Sequence, residues 1–164
     1  MMPKLYHLRD FLSLHNKKII YSAWIESQLR YGLEVYAFAT NSYISRLQRT
    51  QNKIVKILFN HFANFTCDEI YKTMKILKIK QLRDYTVVVN NFNSSKFKTK
   101  STAKSNYFRK STVKFKTPEW RNDYGKRNRE YYVPSIFNTL PAKFENINNI
   151  TILKKELVNE FICP

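Results

Sequence analysis

Residues 43–59 place the strongest constraint on the fold. Ile44, Leu47, Ile54, Val55 and Leu58 fall within one stripe at helical spacing, and Arg46, Arg49, Lys53 and Lys56 fall in a narrower stripe nearly opposite. A segment written this way is an α-helix that buries one side and shows a row of cations on the other. Thr40, Asn41 and Ser42 precede it with N-cap chemistry, so the helix is predicted to begin just after them. Gln51 lies among the apolar residues, where a buried amide left without partners costs roughly 1–3 kcal/mol.

The flanking segments continue the helical pattern. Over residues 17–38, Ile20, Trp24, Tyr31, Val35 and Phe38 recur at steps of three, four and seven, which predicts a helix with these side chains on its buried face. Glu26, Arg30 and Glu34 stand four residues apart on another side, spaced to support one another. Gly32 interrupts this helix at about 1 kcal/mol against Ala in an exposed interior, which points to close packing or a local break. Thr66 and Glu69 have capping-box spacing and predict a short helix carrying Ile70 and Met74. A further helix is expected over 79–92 with Leu82, Tyr85, Val89 and Phe92 buried, against the propensity of the β-branched run Val87, Val88, Val89. "YYVPSIFNTLP" reads as an aromatic-rich turn and a short helical turn between two prolines. A last helix is predicted over 149–161, with Ile150, Leu153, Leu157 and Phe161 as its seam.

Between these helical parts the character changes. Residues 96–129 hold twelve Lys and Arg against Glu119 and Asp123. Self-repulsion and a high Ser, Thr and Asn content predict an extended or mobile arm, although "VKFKT" alternates like a short strand. The whole chain has 29 Lys and Arg against 12 Asp and Glu, a formal charge of +17. Such a field attracts polyanions and repels copies of itself, so nucleic acid is the first partner to consider and an anionic membrane surface the second. No run of roughly 18 apolar residues occurs, so no membrane span is expected. "MMPKLYHLRDFLSL" lacks the apolar core and cleavage site of a leader, and no processing is predicted. Two cysteines, Cys67 and Cys163, are too few for a disulfide framework. They point to a reducing, intracellular compartment, nuclear or cytoplasmic.

Catalytic constellations are not visible. Nucleotidyl transfer needs carboxylates converging on two metal ions about 4 Å apart, and the only adjacent acids, Asp68 and Glu69, are explained by the capping box. His7, His15 and His61 have no metal-ligand spacing, and neither cysteine has a His or Cys three or four residues away. With only Gly32 and Gly125, a glycine-rich phosphate loop is excluded, and no Gly-x-Ser-x-Gly occurs. No catalytic residue, metal, cofactor or small-molecule substrate is assigned.

What remains is positive charge interleaved with aromatic rings, the combination that follows a phosphate backbone and stacks on bases. Arg46, Arg49, Lys53 and Lys56 span about 15 Å along one helix, enough to meet successive phosphates, or they form a solvated face. The arm offers a second candidate surface through Arg109, Lys110, Lys114, Lys116, Arg121, Lys126, Arg127 and Arg129. Its aromatics Tyr107, Phe108, Phe115 and Trp120 are equally suited to pinning the arm to the core, and for Trp120 packing is the expected role.

The residues also carry a family likeness. "IIYSAWIESQLRYGLEVYAFATNSYISRLQRTQNKIVKIL" resembles the region just after the palm of non-LTR retrotransposon reverse transcriptases. The matching positions are Tyr21, Ser22, Ser27, Tyr31, Gly32, Glu34, Tyr36, Leu47, Gln51, Lys53 and Ile57. "MKILKIKQLRDYTVV" is similar to the family's next helix entry, with Lys78 where proline is common. "YGKRNREYYVPSIFNTLPAKF" resembles its terminal signature through Tyr124, Gly125, Arg127, Pro134, Asn138, Leu140 and Pro141, with Phe137 in the usual Trp position. A group II intron maturase thumb fits that terminal signature poorly.

The resemblance implies a thumb and the segment after it, without the fingers, the palm carboxylates or the endonuclease. The expected fold is mainly α: a small thumb-like helical bundle over 1–95, a basic and partly extended arm over 96–130, and a C-terminal turn and helix over 131–164 packing back on the bundle. The expected function is that of a truncated reverse-transcriptase-derived protein that binds the phosphate backbone of RNA, DNA or a hybrid without polymerising. The alternatives are part of an active RNA-directed DNA polymerase whose palm lies on another chain, and a structural remnant that binds nothing specific.

Overall fold

The computed structural model describes residues 6–7, 10–36, 40–59, 66–92, 115, 117–141, 143–144 and 147–162. The fold is mainly helical, and no strand occurs among the described residues. In chain order it runs α1 (Leu14–Ile20), a π-helical turn (Tyr21–Glu26), α2 (Ser27–Tyr36), α3 (Asn41–Leu58), α4 (Cys67–Met74), α5 (Ile79–Asn91), a 3-10 turn (Gly125–Arg127), α6 (Arg129–Thr139) and α7 (Ile150–Ile162). Of "VKFKT", only Phe115 and Thr117 are described.

The first rod is helical as expected, but its buried face is a different one. Tyr21, Ile25 and Leu33 are buried with Leu29 packed beside them, and Lys17 is fully buried one step before Tyr21. Trp24 and Tyr31, expected inside, are exposed at 44% and 83%. Phe38 and the side chain of Val35 lie outside the described residues. The reason lies in the helix geometry. Residues spaced by four drift about 40° per step around a regular α-helix and do not hold one face. The π turn, closed by the Ser27 amide on the Ser22 carbonyl, is wider and realigns the four-residue series toward the core. Gly32 is a site of close approach, because the Tyr36 ring folds back across it and donates its hydroxyl to the Leu29 carbonyl at 3.2 Å. A Cβ on Gly32 would stand 2.2 Å from that ring.

α5 is the central helix. Ile79, Leu82, Tyr85, Val87 and Val88 are buried on several of its sides, where α2, α3, α6 and α7 pack. Packing therefore overrides the weak helix propensity of the valine run. Val89 and Phe92 are partly buried rather than central. Arg83, also buried, has its Nε on the Asp84 carboxylate at 3.0 Å and its guanidinium 4.8 Å from the centre of the Tyr132 ring. Tyr132 donates to the same carboxylate at 2.9 Å. Burial pushes the Tyr132 hydroxyl pKa up, Asp84 adds to the shift, and Arg83 opposes it.

α4 begins with the capping box, Glu69 accepting from the Thr66 amide at 2.6 Å while Thr66 accepts from the Glu69 amide at 3.4 Å. It ends with Lys75 in the left-handed region at φ 52°, where the Ile76 amide closes on the Tyr71 carbonyl at 2.9 Å. This is a Schellman end built without glycine.

α6 corrects the expected pair of turns around "YYVPSIFNTLP". It is one helix with Pro134 inside it, started by Asn128, whose side chain accepts from the Glu130 amide at 3.2 Å. The proline removes one N–H and costs about 3 kcal/mol in a helix interior. Burial of Val133, Ile136 and Leu140 against the core offsets this at roughly 1.5–3 kcal/mol for each fully buried aliphatic side chain. α7 lies where expected and buries Leu153 and Leu157. Its seam ends at Ile162, while Ile150 is 37% exposed at its start.

Candidate nucleic-acid interface

α3 is the element that presents the cationic row. Its 18 residues include Arg46, Arg49, Lys53 and Lys56 and no acid. All four cations are exposed, while Ile44, Gln51, Val55 and Leu58 are buried on the opposite side. A merely solvated helix face usually mixes signs so that neighbours pair at i,i+4. The first rod does so, with Arg30 of α2 joined to Glu26 of the π turn at 2.6 Å. Among the described residues, the partner of a cation on α3 is the exposed Tyr43 ring, 5.9 Å from the Arg46 guanidinium carbon.

The opposite side of α3 is fastened by amides. Gln51 donates to the Tyr21 hydroxyl at 2.7 Å and to the Leu77 carbonyl at 2.8 Å, and it accepts from Gln48 at 2.9 Å. Gln48 also accepts from the Ile79 amide at 2.9 Å, and its amide nitrogen lies 2.8 Å from the Asn52 Oδ1. Tyr71 donates to that same oxygen at 2.8 Å. Gln51 is thus buried and satisfied. Its neighbours Gln48, Asn52 and Tyr71 were not singled out in the sequence, although amides at i, i+3 and i+4 along an otherwise apolar side were the available signal. Burial pushes the Tyr21 hydroxyl up to about 12, with the Gln51 hydrogen bond opposing and Glu26 adding. It pushes Tyr71 up as well, with nearby Tyr21 and Cys67 adding.

The second candidate surface is described in part. Arg109, Lys110, Lys114 and Lys116 lie outside the described residues. Arg121, Lys126, Arg127 and Arg129 are all exposed. They stand on or beside a turn at the described end of the arm, which is anchored at both ends, while residues 96–114 and 116 lie outside the described residues. At one end the Asn138 side chain accepts from the Phe115 amide at 2.9 Å and donates to its carbonyl at 3.0 Å, as a neighbouring strand would. The Phe115 and Phe137 rings meet at 5.6 Å. At the other end Arg129 donates to Asn91 at 2.8 Å. Lys126 is paired with Asp123 at 3.1 Å. Trp120, expected to pack, is only partly covered. It lies on Gly125 within its own turn and stays 41% exposed. Phe115 makes the connection to the core instead.

Among the described residues, five acids are taken up in separate pairings, Glu26 with Arg30, Asp68 with Lys78, Asp84 with Arg83, Asp123 with Lys126 and Glu160 with Lys143. Among the described residues no group of three or more His, Cys, Asp and Glu is placed to hold a metal ion. No helix among them is long and apolar enough to cross a membrane. Comparison with protein-family models, with curated proteins and with solved structures finds no match.

Proposed function

We propose that this chain is a reverse-transcriptase-derived, thumb-like module that binds the phosphate backbone of RNA, DNA or their hybrid and does not itself polymerise. The observation that carries the proposal is the outer face of α3, four exposed cations on a helix without a single acid, in a chain of charge +17. Each cation that neutralises a phosphate releases condensed counterions, so a rigid row of them gives affinity without reading sequence. The anchored turn at 117–128 carries exposed Arg121 and Arg127 as a second candidate patch, with Glu119 and Asp123 exposed beside them. The sequence likeness at Tyr31, Gly32, Gln51, Asn138, Leu140 and Pro141 supports the family assignment. It gains physical sense where Gly32 seats Tyr36, Gln51 fastens α3 and Asn138 holds Phe115. The proposed working place is inside the cell, nuclear or cytoplasmic.

The test is a salt titration of the full chain against an RNA–DNA hybrid and a DNA duplex of unrelated sequences. The expected result is a steep linear fall of log affinity with log salt, of similar slope for each sequence. A shallow slope or a strong preference for one sequence overturns the proposal. In a parallel assay with primer-template, nucleotides and magnesium, no nucleotide is added. Extension that survives repurification refutes the non-polymerising part.

A further inference from the structure

Exposed aromatic rings occur before α1 at Tyr6 and Phe11, along the first rod at Trp24 and Tyr31, at the start of α3 at Tyr43, and in the anchored turn at Trp120 and Tyr124. Tyr43 has the Arg46 guanidinium carbon 5.9 Å from its ring, and the turn brings two exposed rings and its cations together within eight residues. Within residues 120–127 it joins exposed Trp120 and Tyr124 to exposed Arg121 and Arg127, while Lys126 is paired with the exposed Asp123. Tyr124 is 80% exposed although its backbone is pinned. Its carbonyl accepts from the Arg127 amide at 3.1 Å, and the Gly125 amide after it donates to the Asn122 side chain at 2.9 Å. Gly125 carries the Trp120 indole so closely that a Cβ there would come within 2.6 Å of the ring. Phe115 and Arg129 fix the ends of the turn on α6 and α5.

Where the backbone is pinned, stacking a flat ligand on an exposed tyrosine orders only the two side-chain torsions. Phosphates alone would call for cations and no ring. In a blunt duplex the base faces are already covered by stacked neighbours. An unpaired nucleobase offers an open face with phosphates on either side, the pattern that aromatic rings and arginines meet together.

The geometry points to Tyr124 as a stacking platform for an unpaired nucleobase, with Arg121 and Arg127 carried by the same turn toward the flanking phosphates. The ligand of this turn is single-stranded nucleic acid, free or as an overhang, rather than blunt duplex. The inference rests on the phosphate-binding proposal and narrows it to a strand state.

The experiment uses the full chain and three fluorescently labelled probes of one sequence: a single strand, a blunt duplex, and the duplex with a single-stranded overhang. Anisotropy titrations compare the wild type with Tyr124→Ala, Tyr124→Leu and Tyr124→Phe. Tyr124→Ala is expected to weaken the single strand and the overhang by roughly ten-fold or more, the scale of one stacked base, and to leave the blunt duplex within about two-fold. Tyr124→Leu follows Ala, Tyr124→Phe follows the wild type, and the salt slope stays the same because tyrosine carries no charge. Equal binding of the single strand by Ala and wild type overturns the inference. So does rescue by Leu, or an equal loss on the blunt duplex. Melting temperatures report on folding, and the Phe-against-Leu comparison keeps the test decisive if Ala lowers stability. Failure here is separable from failure of the wider proposal. If Tyr124→Ala changes nothing while removal of the α3 cations flattens the salt slope, only the platform falls. If the α3 cations leave the slope untouched while Tyr124→Ala still separates the probes, the α3 interface falls and the platform stands.

Discussion

Replacing Arg46, Arg49, Lys53 and Lys56 together by Gln separates the cationic face of α3 from the fold that carries it. All four side chains are exposed, and none forms a salt bridge among the described residues. Gln is close to Lys and Arg in helix propensity, and surface changes of this kind stay within about 0.5 kcal/mol each. Thermal stability should therefore hardly move. Binding should change in a defined way, because each phosphate contact contributes about 0.9 to the salt slope on duplex DNA and about 0.7 on a single strand. Loss of all four lowers the slope by about 3.6 or about 2.8. Between 50 and 200 mM salt, the wild type then loses roughly 50- to 150-fold more affinity than the variant. Leu58→Ala is the opposite perturbation. Leu58 is fully buried on the far side of the same helix, so its truncation costs about 2–5 kcal/mol through the cavity left behind. It should lower the melting temperature while leaving the salt slope of the folded fraction intact. The assay is a paired melting and salt-titration series on both variants. If the quadruple Gln variant keeps the wild-type slope, the face is only solvated, and the affinity resides in residues 96–129 or nowhere.

Gln51→Leu strips partners from Tyr21, the Leu77 carbonyl and Gln48, and should cost about 3 kcal/mol in urea unfolding; an unchanged midpoint would refute the bonding described. Lys75→Gly relieves a left-handed residue at φ 52° and should raise stability by about 1 kcal/mol, visible as a higher melting temperature. Asn138→Ala removes both contacts to the Phe115 backbone, so hydrogen exchange at the Phe115 amide should accelerate while α7 stays protected. Tyr21 holds its proton more tightly folded, with its pKa pushed up to about 12, than unfolded, at about 10. Its contribution is full below pH 10 and is lost as pH rises toward 12, so urea midpoints should fall more steeply across that window in the wild type than in Tyr21→Phe.

The features legible in the sequence were those fixed by local spacing. The two stripes of α3, the Thr66–Glu69 capping box, and the position of α7 follow from residues within a few turns of one another. The errors share a different origin. Trp24 and Tyr31 continue a regular helical stripe from Ile20, which does pack against the core, but the π turn from Tyr21 to Glu26 brings Tyr21, Ile25 and Leu33 inward in their place. Pro134 reads as a break, yet burial of Val133 and Ile136 carries α6 through it. Asn138 matched a signature position, but its grip on Phe115 spans 23 residues and leaves no mark in local pattern. Trp120 was weighed against the core because nothing local shows that Gly125 would receive it. At the candidate interface, the identity of the α3 cations was legible from spacing. That none of them forms a salt bridge among the described residues depends on how the other helices pack.

A row of cations makes an interface only if its helix cannot turn, and apolar packing alone is a weak lock because it is non-directional. α3 is held by something stricter. Gln48, Gln51 and Asn52 bond to Tyr21 of the π turn, Tyr71 of α4, the Leu77 carbonyl and the Ile79 amide at the start of α5. Hydrogen bonds lose strength quickly off their axis, so partners on separate elements fix the rotation of α3 about its own axis. A slip of one residue would turn the helix by about 100°, break this set and carry the cationic row toward its neighbours. A buried amide is a costly way to fill a core, and a leucine at Gln51 would fill space at lower desolvation cost. What the amide adds is direction, the use of buried polar groups best attested in proteins where one such residue sets a register. Gln51 lies on the opposite side of α3 from Arg46, Arg49, Lys53 and Lys56, so the bonds that orient Gln51 inward are the same bonds that hold those four cations outward.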